Sequence, residues 1–421
     1  MKLLQVDSIQ SVEGKFAKYF ASMEKKQEEV GLRQVCGRYL AEDIFADMDA
    51  PSFRRSVVDG YAVRAADTFG VSESIPVFLE SLGSIQMGQA STLFIGPGQT
   101  AYVPTGGMIP QGADAMVMVE YIDRLGENMV SINRPAAPNA HIMNIGDDFR
   151  EGERFFSKGH RVTAKDIGLL AACGKAQIAV YRKPKLSVIS TGDELVEPDT
   201  KPGPCQIRDI NAYAISAYAE ALGAEVLDLA IIPDEVDAYR EATMKAMEKC
   251  DMVILSGGSS AGNKDFTAQV VGSLGKPGVV THGLAIRPGK PTIIGIFTDR
   301  EELKTVIGLP GHPLSSIMVF DVVVGTFLRK YYLGNEEDPR AIHAKITENI
   351  HAGEGRTSYQ LVNLTRGEAV EGHSERGWLA EPIRGKSGAI AQLARAHGYV
   401  TIPLGSEGLR AGETVEVTLI E

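Results

Sequence analysis

The sequence is short of cysteine, of basic charge and of long apolar runs, and each shortage removes a class of protein. Four cysteines in 421 residues, Cys36, Cys173, Cys205 and Cys250, stand far apart, with no CxxC pair and no metal-ligand spacing. They read as reduced thiols, and a cytoplasmic protein is the expectation. Lys and Arg number 43 against 54 Asp and Glu, a formal charge of −11. Nucleic-acid phosphates need a basic face, so no nucleic-acid partner is expected, although a small anion held by local donors is compatible with this charge. The longest uncharged stretch, near residues 306–320, contains Gly308, Pro310, Gly311 and Pro313. It reads as a passage through a sheet core, and no membrane association is expected. Met1 to Glu13 has no basic segment followed by an apolar one, so no leader is expected. No internal repeat or low-complexity segment is found.

What remains is an ordinary globular composition, 44% hydrophobic and 23% charged, in a chain too long for one hydrophobic core. Several domains are expected. The most informative stretch runs from Lys185 to about Phe327. Three short apolar runs each end in a small-residue or glycine turn: Leu186 to Ser190 before Thr191-Gly192-Asp193-Glu194, Met252 to Leu255 before Ser256-Gly257-Gly258-Ser259, and Val306 to Leu309 before Pro310-Gly311-His312-Pro313. Segments of helical length lie between and after them, over 212–222, 234–249 and 314–327. This alternation predicts a mostly parallel sheet covered on both faces by helices. Ligands of such sheets sit beyond the carboxyl ends of the strands, where all three turns fall.

Around this centre the pattern differs. Val12, Phe16, Tyr19 and Phe20 recur at helical spacing near the start. From Ile75 to Glu120 short strands alternate with Gly/Pro turns, which predicts a small β domain, and residues 340–421 read as a second one. Within the first, Asp59-Gly60 suits a turn. Thr105-Gly106-Gly107 either permits a tight turn or offers free N–H groups to an anion. Residues 145–153 carry four acids and one arginine, which suit a solvated surface or a carboxylate shell for a divalent cation. Thr163, three residues ahead of Asp166, marks a helix start.

Acids recur beside the central turns: Glu194, Asp209 and Asp265. Asp209 and Asp265 fit helix N-caps as well as a site. The loop 256–262 is built of Ser, Gly and Ala, so its backbone can turn N–H groups toward a phosphate or oxyanion. It matches neither G-x-G-x-x-G nor the P-loop, no Ser–His–acid arrangement is found, and neither Ser256 nor Ser259 holds the serine position of a G-x-S-x-G. Lys264, Arg287 and Lys290 add positive charge nearby in sequence, and His282 and His312 fall at strand ends.

These motifs, Ser190-Thr191-Gly192-Asp193-Glu194-Leu195, Leu255-Ser256-Gly257-Gly258 and Gly308-Leu309-Pro310-Gly311-His312-Pro313, occur in the order found in the molybdopterin-binding fold. Together with residues 56–63, 105–114 and Leu393-Ala394-Arg395-Ala396-His397-Gly398, they resemble, end to end, the molybdenum-inserting enzymes of the gephyrin E-domain family. The resemblance implies a multidomain α/β and β protein. An N-terminal helical part (1–49 and 141–182) is interrupted by an inserted β domain (50–140), then follow a central molybdopterin-binding α/β sandwich (183–332) and a C-terminal β domain (333–421). It implies insertion of molybdate into adenylylated molybdopterin, release of AMP, Mg2+ dependence, a homodimer with its cleft between subunits, and a molybdopterin adenylyltransferase acting upstream. Catalytic roles carry over to Asp59, Glu194, Asp209 and Asp265, with Asp209 and Asp265 as metal ligands. Binding roles carry over to Thr105, Ser190, Thr191, Gly192, Ser256, Gly257, Gly258, Ser259, Gly262, Arg287, Lys290, Pro310, Gly311 and His312. The chain departs from the family pattern at Arg55, Arg287 and His312, where an amide, a lysine and an asparagine are usual. That leaves a tungstate-preferring paralogue, or a non-catalytic molybdopterin or oxyanion carrier or scaffold, as alternatives.

Overall fold

The computed structural model describes residues 6–257, 266–299, 302–353, 355–367, 377–385 and 388–420. The chain divides into two units, one of residues 1–42, 158–164 and 177–421, the other of residues 43–157 and 165–176.

The larger unit is built on a six-stranded sheet ordered Glu225–Ile232, Lys185–Thr191, Met252–Ser256, Glu302–Leu309, Ile293–Asp299, Pro277–His282. The first four strands are mutually parallel, as the alternating pattern predicts, and Ile293–Asp299 runs antiparallel to both of its neighbours. The four inner strands are buried on both faces, and alternate residues divide between two cores. Leu186, Val188, Ile254 and Ile307 point into one core with Ile215 and Ala219 of helix Asn211–Ala221. Ile189, Val253, Leu255 and Val306 point into the other, with Tyr239 of helix Val236–Lys249 and Val270 of helix Phe266–Ser273. A period of two with both phases apolar is what a sheet covered on both sides requires.

The strand order reverses beside Lys185–Thr191. Its chain leaves through helix Asn211–Ala221 to Glu225–Ile232 on one side, while Met252–Ser256 lies on the other and leads on toward Glu302–Leu309. A crevice opens at such a reversal, between the carboxyl ends of the two strands. Here those ends are Ser190-Thr191 and Ser256-Gly257.

The helical segment expected over 314–327 is α-helical only over Pro313–Val319 and continues with the wider π winding over Phe320–Gly325 and Leu328–Tyr332. Phe327 of this segment stacks on Phe16 of helix Ile9–Phe20, ring centroids 4.1 Å apart. The same helix buries Val12, Phe16 and Phe20, leaving Tyr19 only partly covered.

The C-terminal strands close on themselves: Thr357–Arg366, Trp378–Pro382, Ala341–Ile346, Thr414–Leu419 and Gly398–Ile402, the last pairing back onto the first. Val362, Ala380, Val400 and Val417 fill the interior. A short strand between Pro277–His282 and Ile293–Asp299 of the central sheet, Ile286–Arg287, pairs in parallel with Thr357-Ser358 and attaches to this barrel.

The smaller unit holds a six-stranded sheet ordered Ala115–Met118, Gly60–Val63, Gln99–Val103, Val77–Ser84, Met129–Ile132, Ile122–Arg124. Tyr61, Val63, Ala115 and Val117 face one core, Ala62, Ala101, Val103 and Met116 the other. The acidic run at 145–153 supplies turn acceptors. Asp147 takes the Asn144 N–H at 2.7 Å and Glu153 the Arg150 N–H at 3.3 Å. Among the described residues no group of three His, Cys, Asp or Glu side chains is placed to share a metal ion. Among them, too, no helix is long and apolar enough to cross a membrane.

Candidate functional site

The three central turns meet. Gly257 has φ +98°, and a Cβ there would lie 2.4 Å from the Thr191 carbonyl oxygen. A Cβ at Gly311 would lie 3.7 Å from Gly257 Cα. Only a glycine lets the backbone after Met252–Ser256 come this close to both neighbours. The chemistry of the cluster is polar and dry. Ser190, Thr191, Asp209 and Ser256 are all buried. Thr191 Oγ1 donates to Asp234 at 2.7 Å, so its hydroxyl fixes the loop after Glu225–Ile232.

Asp209 has two oxygens in different states. Oδ1 accepts the Ala212 N–H at 3.1 Å and caps the helix that follows, while Oδ2 is buried with no hydrogen-bond partner. A carboxylate oxygen in that state is costly unless a cation or donor completes it. Glu194 is exposed, and its carboxylate lies over Gly192, where a Cβ would come 2.6 Å from Oε2. On the capped helix, the Tyr213 hydroxyl donates to Glu197 at 2.9 Å; that bond, with Asp209 nearby, raises its pKa. Gly258, Ser259, Gly262, Lys264 and Asp265 lie outside the described residues.

A second feature adjoins these turns. A cleft of about 910 Å³ lies between the central sheet's end and the C-terminal barrel, within the larger unit. Arg287, Lys290 and His312 line it from the central side, and His351, Arg356 and Arg384 from the barrel. Arg287 is brought there by its parallel pairing with Ser358. Gly353 presses against it, so that a Cβ would stand 3.1 Å from Arg287 Cδ. Gly289, at φ +116°, leaves room for Val319, whose Cγ2 would be 2.3 Å from a Cβ. Arg384 pairs with Glu348 at 2.6 Å on the surface, whereas Arg287, Lys290 and the half-buried Arg356 form no ion pair with a described carboxylate. Tyr359, on the same wall, has its pKa pushed up to about 12 by burial and by the charges of Glu13 and Asp321, so it stays a hydrogen-bond donor at neutral pH.

In the smaller unit Asp59 and Thr105 are brought together, both exposed, with the Thr105 N–H donating to Asp59 Oδ1 at 2.8 Å. The neighbouring Gly106 and Gly107 N–H groups donate to Ser56 and Pro104 carbonyls. The turn's three N–H groups are therefore engaged, and only the Thr105 hydroxyl is left to contact an anion. Arg55 rests its guanidinium on Met143 Sδ at 3.3 Å.

Sequence reasoning reached Arg287, Lys290 and His312 but missed His351, Arg356 and Arg384. His351 and Arg356 lie over sixty residues beyond Arg287 and Lys290, and only the strand pairing brings them back. An arginine between Gly355 and Thr357, at the mouth of a strand, was the available signal.

Comparison with known proteins matches most of the chain. Residues 6–174 match the model described as "MoeA N-terminal region (domain I and II)", residues 187–330 the "Probable molybdopterin binding domain", and residues 343–420 the "MoeA C-terminal region (domain IV)". The molybdopterin molybdenumtransferase of Bacillus subtilis is 34% identical over 397 residues, 93% of this chain and 90% of the relative. The chain belongs to the molybdopterin molybdenumtransferase family. The Staphylococcus aureus (strain Mu50) member is 32% identical over 392 residues, 93% of this chain and 91% of its own. A crystal structure of a molybdopterin biosynthesis MoeA protein from Pyrococcus horikoshii superposes with a TM-score of 0.79 at 37% identity, covering 99% of each chain. Membership makes this an enzyme of molybdenum cofactor biosynthesis with the multidomain MoeA fold.

Proposed function

We propose that the protein inserts molybdate into adenylylated molybdopterin and releases AMP, in a step that needs a divalent cation. The observation that carries this reading is the adjacency of two features in one unit. A crevice at the strand reversal holds unpartnered buried oxygens, and a cleft beside it is lined from both walls by cations. A substrate with a pyrophosphate link and an incoming oxyanion needs both.

Arg287, Lys290 and Arg356 hold anionic oxygens of molybdate or of the phosphate end, and Tyr359 donates a proton-bearing hydroxyl at the same wall. Arginine offers a planar fork and lysine a compact charge, so Arg287 presents an oxyanion with two parallel donors where lysine gives one. Backbone groups of the 256–257 turn take the phosphate-bearing part at the sheet reversal. Asp209, whose Oδ2 is buried and unpartnered, fits a hard cation such as Mg2+, and Asp265 is its proposed companion. That ion, when bound, neutralises charge developing on the pyrophosphate. Asp59 and Glu194 are the remaining proposed catalytic carboxylates.

The active species is proposed to be a cytoplasmic homodimer fed by a molybdopterin adenylyltransferase, the reaction class that must supply its substrate. Mixing Asp59→Ala with Asp209→Ala subunits restores part of the activity if the two carboxylates serve one cleft from different subunits. No recovery after demonstrated subunit exchange would refute the shared cleft. The test of the reading itself is Arg356→Ala. Losing one charge-assisted contact of about 1.5–3 kcal/mol raises the molybdate concentration for half-maximal turnover by roughly tenfold or more. Unchanged molybdate dependence would contradict an oxyanion role for the cleft.

A further inference from the structure

Three buried side-chain atoms at the carboxyl end of the sheet have no hydrogen-bond partner: Ser190 Oγ, Asp209 Oδ2 and Asn211 Oδ1. Buried polar groups are almost always paired, and each exception asks for a cause. Ser190 and Asp209 already have roles in the reading above. Asn211 has none.

Asn211 opens the helix Asn211–Ala221 and is 7% exposed. Its Nδ2 donates to Ser256 Oγ at 2.8 Å and to the Gly311 carbonyl oxygen at 2.9 Å. These acceptors take both amide protons, so the orientation of the side chain is fixed and Oδ1 is left as an acceptor. Ser256 closes one strand and Gly311 sits in the turn after the next. The ladder between those strands ends at the Ser256–Leu309 pair. Past that pair, Asn211 ties the two turns to each other and to the helix that Asp209 caps.

We infer that Asn211 is a positioning residue for the transfer reaction. Its amide holds the 256–257 and 310–312 turns at a fixed separation, and its Oδ1 takes a hydrogen bond from a donor on the bound molecule. The ligand half of this inference rests on the function proposed above. The latch between the turns does not.

An aspartate at 211 keeps the shape but, when ionised, has no proton to donate, and it sets a carboxylate against the Gly311 carbonyl. Alanine removes the tie. Two measurements separate positioning from a general structural role. In the ligand-free protein, amide hydrogen exchange at 256–257 and 311–312 accelerates at least tenfold in Asn211→Ala and in Asn211→Asp at pH 7, while the Ile293–Asp299 strand is unchanged. In turnover, kcat/KM falls tenfold or more for both variants at pH 7. The near-isosteric aspartate carries the test if the alanine variant does not fold. Unchanged exchange in both turns overturns the latch, and unchanged kcat/KM in both variants overturns the positioning role. If wild type shows no turnover, the proposed function fails, and exchange alone decides the latch.

Discussion

Gly257→Ala is the sharpest local perturbation available. At φ +98° an L-residue is strained by about 1–2 kcal/mol, and the new methyl would sit 2.4 Å from the Thr191 carbonyl oxygen. That is about 0.6 Å inside the closest approach seen for Cβ atoms, and the obstacle is backbone, which does not rotate away. Overpacking of this kind costs typically about 1–3 kcal/mol more, so a total near 2–5 kcal/mol is expected. For a cooperative unit of about 150–250 residues each kcal/mol lowers Tm by roughly 2–4 °C, giving a fall on the order of 10 °C. The strain also pushes the Thr191 and Ser256 strand ends apart, so activity falls even well below the melting transition. Gly272→Ala is the matched control. That glycine lies in helix Phe266–Ser273 with nothing within 4 Å of its Cβ position, and the substitution should stabilise by about 0.5–1 kcal/mol. Thermal unfolding of the two variants beside wild type decides the matter. A Gly257→Ala protein melting within a degree or two of wild type would refute the argument from close approach.

Two further outcomes are expected. Cys36 and Cys205 are exposed, whereas Cys173 and Cys250 are buried, and burial raises the Cys250 pKa to about 11. A thiol reagent at pH 7.5 should modify two cysteines in the native protein and four after unfolding, and four rapidly reacting native thiols would contradict the packing. Asp7 has a carboxyl that burial pushes up, but bonds from Lys15, Ser11 and Thr281 bring it below its ordinary value. Its contribution to stability is therefore present above the unfolded carboxylate pKa and lost as pH falls through the lowered folded value. In Lys15→Met the burial contribution prevails and the Asp7 pKa rises, as an NMR titration would show; an unmoved titration would count against the pairing.

Much of the fold is legible in the sequence because its signals are local. Runs such as Met252 to Leu255, with both alternating phases apolar, can be satisfied only between two layers of helices, and the glycine after each run marks where the strand must turn. The site is legible in part. Glu194, Asp209 and the three turns announce themselves beside those glycines. Arg356 and His351 do not, because their place depends on Ile286-Arg287 pairing with Thr357-Ser358, a contact over seventy residues apart in sequence. Asp209 shows why a residue type cannot settle a role. The cap and the site are rival readings, and one oxygen takes the Ala212 N–H while the other is left unpartnered, so the cap does not use up the carboxylate. The Thr105 turn shows the reverse. Its glycines suit either a tight turn or free N–H groups, and the Thr105, Gly106 and Gly107 N–H groups are engaged by Asp59, Ser56 and Pro104. The π winding after Val319 has the same apolar content as an α-helix, so periodicity over 314–327 gives no warning of it.

The central claim is tested most directly by incubating the purified protein with adenylylated molybdopterin, molybdate and Mg2+ and following AMP release together with molybdenum bound to the pterin product. Wild type should release one AMP for each molybdenum inserted, with both products absent when molybdate or the divalent cation is omitted, and Asp209→Ala should abolish both while remaining folded. AMP release that is independent of molybdate, or full activity in Asp209→Ala, would contradict the account.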